Sequence, residues 1–67
     1  MSKEFEIIRL KLCISSLQEK ISILKTQIQR NDNSKYFREN VIIHQVIILL
    51  ETLEEEYTEE IVKIKER

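Results

Sequence analysis

The amino-acid sequence contains, at residues 7–28, the segment IIRLKLCISSLQEKISILKTQI. Alternating steps of three and four positions separate its regularly spaced apolar residues, which are Ile7, Leu10, Ile14, Leu17, Ile21, Leu24 and Ile28. Such a repeat forms an apolar seam along one side of an α-helix and is typical of coiled coils, here with Ile at every a position and Leu at every d position. The segment is therefore predicted to be a helix that packs lengthwise against another helix.

One cluster of turn-forming residues interrupts the sequence, Asn31-Asp32-Asn33-Ser34. The chain has no Gly and no Pro, whereas a sheet protein of this size needs such residues at its many turns. The segments on either side of the cluster are rich in Ile, Leu, Glu, Lys and Gln. We predict an all-α protein with a single domain over residues 1–67, consisting of a helix over 3–30, a turn over 31–34 and a helix over 35–66.

The second helix carries an apolar stripe that matches the seam of the first. We assign to this stripe Tyr36, Ile43, Val46, Leu50, Leu53, Tyr57, Ile61 and Ile64. A short turn makes two such helices neighbours at little cost in chain entropy. The expected architecture is an antiparallel two-helix hairpin of the coiled-coil type. A parallel homodimer through the first helix stays open as the alternative, because Ile at a and Leu at d also suit two-stranded parallel coils.

The distribution of charge favours the hairpin. Residues 1–40 contain eight basic and five acidic residues, whereas residues 41–67 contain three basic and seven acidic ones. Folding about the turn is expected to bring Arg9 and Lys11 to the level of residues 54–56. Exposed ion pairs of this kind contribute only about 0–1 kcal/mol each, so they affect register more than stability.

Length and composition argue against an enzyme or a metalloprotein. A chain of 67 residues is too short to bury a sizeable core by itself. One Cys and one His offer neither a disulfide nor a set of metal ligands, and a glycine-rich phosphate loop is missing. We therefore expect no catalysis, no metal and no cofactor. Cys13 is interpreted as a small side chain packed beside the seam, and His44 as a solvated or interfacial residue.

The protein is expected to be cytoplasmic, without a membrane span and without a nucleic-acid partner. Its longest unbroken apolar run, residues 46–50, is far shorter than the roughly 20 residues that cross a bilayer. The N-terminus, MSKE, lacks the layout of a signal peptide. The basic residues are spread out and form no stripe with aromatic residues. The acidic segment 51–60 is predicted to be a solvated helix face.

Several apolar residues lie outside the predicted contact between the helices. On the first helix, Phe5, Ile8, Leu12 and Ile23 cluster roughly 160° from the seam at 100° per residue. On the second helix, Val41 and Ile48 also point away from the hairpin, and Leu49 lies on its flank together with Ile42. A lone hairpin would leave these side chains in water. We therefore predict that a second chain completes the protein, and that the isolated protein forms homo-oligomers. The predicted partner-binding residues are Phe5, Ile8, Leu12, Ile23, Val41, Ile48 and Leu49.

The sequence resembles a known family of small helical hairpins. The residues concerned are LQEKISILK at 17–25, the turn RNDNSKY at 30–36 and the Ile/Val-rich stretch at 41–50. Over about residues 7–53 this pattern is similar to the needle co-chaperones of bacterial type III secretion, the YscE/EscE-like family. The sequence differs from that family in its turn, which has no Gly, and in an acidic extension over residues 54–67.

The resemblance implies a function as well as a fold. In that family the hairpin pairs with a larger helical-repeat chaperone, and together they keep the needle subunit soluble in the cytoplasm until export. Two other classes stay open. One is a homodimeric four-helix bundle that regulates nucleic acid or protein, for which a basic groove across the dimer would be the distinguishing feature. The other is an inhibitor that uses the acidic face.

Overall fold

The computed structural model describes residues 2–31 and 34–67. Within these ranges the chain forms helix α1 over Lys3–Arg30, a short 3-10 helix over Ser34–Tyr36 and helix α2 over Phe37–Lys65. Helices account for 94% of the described residues, no strand occurs among them, and α1 packs antiparallel to α2. The all-α helical hairpin predicted from the sequence is confirmed.

The ends of the helices follow from local hydrogen bonding. The Ser2 hydroxyl accepts a hydrogen bond from the Phe5 amide at 3.1 Å and caps α1, as Ser commonly does at this position. At the other end of α1, the Asn31 amide donates to the Gln27 carbonyl at 2.9 Å. The predicted turn falls partly on residues 32 and 33, which lie outside the described residues. The α-helical geometry of α2 begins at Phe37, after the 3-10 turn.

The interior of the hairpin is narrow and apolar. Its buried side chains, among the described residues, are Leu17, Ile21, Ile47, Ile61 and Ile64. The other members of the α1 seam are half-buried, so the whole repeat lies on the side of α1 that faces α2. The hydrophobic contact therefore runs the length of a molecule whose Cα atoms extend over 50 × 14 × 13 Å.

The stripe assigned to α2 is wrong at its centre. Ile47 is only 5% exposed and belongs to the contact, whereas Val46 is 38% exposed. The observed seam has steps of three and four throughout and consists of Asn40, Ile43, Ile47, Leu50, Glu54, Tyr57, Ile61 and Ile64. The stripe predicted from the sequence avoided the acid at position 54 and so broke this repeat. In the structure, Glu54 is accommodated because its Oε1 accepts a hydrogen bond from Gln18 Nε2 at 2.9 Å.

The register expected from the turn is also wrong. Glu54 lies opposite Gln18 rather than Arg9 or Lys11, a difference of about two helical turns. In the observed register the start of α1 lies beside the end of α2. Glu6 pairs with Arg67 at 3.5 Å, and Lys3 Nζ donates to the Arg67 carbonyl at 2.8 Å. In the expected register α2 would overhang α1, and its last apolar residues would have no partner helix.

A polar residue next to the turn also supports the register. The Asn40 side chain, at a seam position of α2, donates from Nδ2 to the Asn31 carbonyl at 3.1 Å. Its Oδ1 is buried without a hydrogen-bond partner among the described residues. Polar residues at a positions commonly fix register in coiled coils at some cost in stability.

Replacing Asn40 by Asp is expected to lower the free energy of unfolding by about 1–3 kcal/mol. The change removes the amide donor and sets a carboxylate against the Asn31 carbonyl oxygen. Gln45→Glu adds the same charge at an exposed position of α2 and should have little effect. Urea unfolding of both variants at pH 7 and one protein concentration tests this, and equal midpoints would show that the Asn40 contact is dispensable.

Candidate protein-binding surface

The described part of the hairpin exposes more large apolar side chains than it buries. Eleven are exposed, against five that are buried. All seven residues singled out from the sequence are among the exposed ones, with values from 40% for Val41 to 69% for Leu49. Single exposed apolar residues are normal on protein surfaces, but contiguous groups of them mark interaction sites.

The two ion pairs between the helices distinguish the two broad sides of the hairpin. Side A is the side on which Glu6 pairs with Arg67, and side B is the side on which Lys25 pairs with Glu51 at 3.7 Å. At about 100° per residue, the positions three and four away from these residues share their side of the helix. Every other surface residue can be placed relative to this frame.

Three apolar patches result. The outer patch consists of Phe5, Ile8 and Leu12 and lies on the side of α1 that faces away from α2. The side A patch lies in the half of the molecule nearest the turn and consists of Ile23 from α1 with Ile42, Val46 and Leu49 from α2. The side B patch consists of Phe37, Val41 and Ile48, all on α2.

This arrangement regroups the residues predicted from the sequence. Ile23 was grouped with the residues of the outer patch, but the structure places it on side A. Leu49 was grouped with Val41 and Ile48, but it lies on the opposite broad side from them. Phe37 and Val62, which are 70% and 48% exposed, were not singled out. Phe37 could have been noticed in the sequence as a large aromatic residue next to the turn that does not belong to the stripe predicted for the second helix.

The acidic segment forms a shallow concave surface on side B. Glu51, Glu54, Glu55, Thr58 and Glu59 line it. Glu51 and Glu54 already contact Lys25 and Gln18. Within residues 2–31 and 34–67, no group of His, Cys, Asp and Glu could hold a metal ion. The segment is thus partly used to join the two helices.

Cys13 and His44 are both solvent-accessible. The expectation that Cys13 packs beside the seam is wrong, because its side chain is exposed. It lines a groove on side A with Arg9, Tyr57 and Glu60. His44 is exposed on α2, close to the side B patch.

Neither described helix has an apolar stretch of the length needed to cross a membrane.

Comparisons with protein-family models, with curated proteins and with solved structures find no match for this chain. The resemblance to needle co-chaperones therefore remains a prediction from the sequence. The three apolar patches are the structural observation from which a function can be inferred.

Proposed function

We propose that the protein is a small cytoplasmic adaptor that binds a larger helical protein through its exposed apolar side chains. The observation that supports the proposal is the set of outward-facing residues, above all Ile8, Leu12 and Ile48, which are 55–66% exposed. By the sequence resemblance, the adaptor acts as a co-chaperone that pairs with a helical-repeat chaperone to keep a type III secretion needle subunit soluble before export.

The energetics favour a protein partner over a function of the hairpin alone. Burying one Leu, Ile or Phe side chain is worth roughly 1.5–3 kcal/mol. The seven residues predicted to bind a partner therefore represent on the order of 10 kcal/mol, which is comparable with the net stability of a small domain. Buried apolar anchors of this kind dominate the binding energy of protein interfaces.

The shape of the molecule fits a helical-repeat partner. A slender rod with Cα extents of 50 × 14 × 13 Å presents helix faces and has no enclosed site of its own in its described part. Helical repeats stack into extended concave surfaces that accept such a rod. Amphipathic helices bind apolar grooves through side chains three, four and seven positions apart, which is the spacing of Phe5, Ile8 and Leu12.

The test is to place a charge in each outward patch separately. Affinity capture from the native cells supplies the partner, which is then purified for titration against Ile8→Asp and Ile48→Asp. One of the two changes should weaken binding by at least about 100-fold, since an ionised carboxylate cannot be desolvated there without a large penalty. Circular dichroism should show both variants as helical as the wild type, because both positions are exposed.

Charge reversal on the acidic surface is the matched control. Glu55→Lys with Glu59→Lys alters exposed residues of that surface and leaves Glu54 in its contact with Gln18. Such rim charges should change the rate of association and its salt dependence more than the affinity. Normal binding of both aspartate variants, with loss of binding on charge reversal, would replace the proposal with an acidic-face inhibitor. A captured partner without helical repeats would contradict the co-chaperone assignment.

A further inference from the structure

We infer that side A is the interface of a homodimer in which two hairpins lie face to face with their turns at the same end, forming a four-helix bundle. In this dimer α1 of each copy packs against α2 of the other copy. The occupant of the side A patch is therefore a second copy of this chain. The outer patch and the side B patch stay uncovered.

The first observation is a second coiled-coil repeat on α2. Ile42, Val46, Leu49 and Leu53 follow one another in steps of four, three and four, one position before the seam that contacts α1. Ile42 and Leu49 are 60% and 69% exposed, and Leu53 is half-buried. A helix with two adjacent seams has the pattern of a bundle helix, which contacts two neighbouring helices.

The second observation is the charge on side A, which identifies the neighbour. In the half of this side nearest the turn, α1 carries bases, and α2 of the same hairpin carries acids around the apolar repeat. These bases are Lys20 and Arg30, and these acids are Glu39 and Glu56, whereas the half nearest the termini carries both signs on each helix. A two-fold axis parallel to the helices sets α1 of one copy over α2 of the other, so that bases face acids. An axis perpendicular to the helices would set α1 on α1 and α2 on α2, and like charges placed opposite each other are unfavourable.

The internal register fixes which residues meet. A two-fold axis parallel to the helices involves no shift along them, so residues at one level in the hairpin stay level in the dimer. Gln18 and Glu54 mark one such level. Five residues further towards the turn lie Ile23 on α1 and Leu49 on α2. Ile23 of one copy therefore faces Leu49 of the other, twice per dimer, and Lys20 lies within about one helical turn of Glu56.

The available area is sufficient for a stable dimer. A side of about 50 by 14 Å corresponds to roughly 700 Å² per copy before side chains are added, close to the roughly 800 Å² per partner of a standard interface. The dimer buries Ile23 and Leu49, two of the seven residues predicted to bind a partner. It does not depend on the proposed adaptor function, because the outer patch with Ile8 and the side B patch with Ile48 lie outside the interface.

The native Cys13 reports the geometry directly. It is exposed and lies on side A beside Arg9 and Glu60. In the proposed dimer the two Cys13 side chains lie at one level, across the bundle from each other. With the perpendicular axis centred on the apolar repeat, they would be about 20 residues apart along the helices, or roughly 30 Å. Treatment of the purified full chain with a short bis-maleimide should give a covalent dimer.

Two neighbouring substitutions complete the test, with sedimentation equilibrium as the measurement. Leu49→Asp should raise the dimer dissociation constant by at least about 100-fold and abolish the cross-link, whereas Ile48→Asp, on side B, should change neither. Ile23→Glu serves as a second interface variant should Leu49→Asp lose helicity. Lys20→Glu should weaken the dimer about tenfold, and adding Glu56→Lys should restore it.

Three results would overturn the inference. The first is a wild-type monomer at hundreds of micromolar. The second is a dimer that the bis-maleimide does not link through Cys13. The third is a dimer that survives both Leu49→Asp and Ile23→Glu in folded form. None of these outcomes affects partner binding through Ile8 or Ile48, so failure of the dimer and failure of the adaptor function are distinguishable.

Discussion

Replacing Ile47 by Asp is expected to unfold the hairpin, while the same change at Ile48 should leave it folded. Ile47 is 5% exposed and Ile48 is 60% exposed, although they are adjacent on α2. An unpaired carboxylate buried between two helices costs several kcal/mol. A domain of this size has only a few kcal/mol of net stability, so one such charge removes most of it. The milder Ile47→Ala should lower the free energy of unfolding by about 2–5 kcal/mol.

The measurement is circular dichroism at 222 nm with urea unfolding, at one fixed protein concentration because self-association stabilises the folded state. Ile47→Asp should lose most of its helical signal at 25 °C, and Ile48→Asp should unfold at nearly the wild-type urea concentration. Similar midpoints for the two variants would mean that Ile47 does not face α1. In that case Val46 would return to the seam, as the sequence pattern first indicated.

The seam of the first helix could be predicted residue by residue because no second apolar repeat lies next to it. From Ile7 to Ile28 every third or fourth residue is Ile or Leu, and the g positions beside them are acidic, polar or basic, apart from Cys13. In α2, residues 41–50 are apolar on almost every side. Two repeats one position apart then fit equally well, and only contact with α1 selects the one that contains Ile47.

The register could not be predicted because it depends on the backbone around the turn. The sequence locates a turn between α1 and α2 but does not show that Ser34–Tyr36 adopt a 3-10 helix before α2 begins. The paired polar residues Gln18 and Glu54 were a usable signal. Their pairing could be recognised only if an acidic residue was allowed in the α2 seam, and the predicted stripe avoided Glu54.

The same ambiguity limited the candidate binding surface. That Ile8 lies outside the contact could be deduced from the α1 seam, and that Ile48 does could be deduced because it belongs to neither repeat of α2. Leu49 belongs to the competing repeat, and only the predicted stripe placed it on the flank. Their grouping could not be deduced, because moving the α2 seam by one position rotates that helix by about 100° relative to α1. This rotation is what separates Leu49, on side A, from Ile48, on side B.

The acidic extension over residues 54–67, which departs from the needle co-chaperone pattern, supplies part of the interior. Ile61 and Ile64 are 7% and 3% exposed and lie at the level of Ile7 and Leu10 on α1. Replacing both by Ala is expected to lower the free energy of unfolding by about 4–10 kcal/mol, from the usual cost of 2–5 kcal/mol for one buried Ile. Val62→Ala, at a 48% exposed position between them, should cost less than 1 kcal/mol.

The double variant should also weaken partner binding if the outer patch is the contact site. Phe5, Ile8 and Leu12 occupy the same turns of α1 whose other side packs on Ile61 and Ile64, so the patch stays helical only while that end of the hairpin is closed. Residues 3–12 alone are shorter than the roughly 12–15 residues below which an isolated helix is marginal in water. Backbone hydrogen exchange should therefore accelerate in residues 3–12 of the milder Ile61→Val, Ile64→Val variant, which costs about 1–3 kcal/mol and leaves the hairpin folded, and remain slower around Ile21 and Ile47. Unchanged protection of residues 3–12 would show that the start of α1 does not need the C-terminal segment. The outer patch would then stay helical independently of the acidic extension.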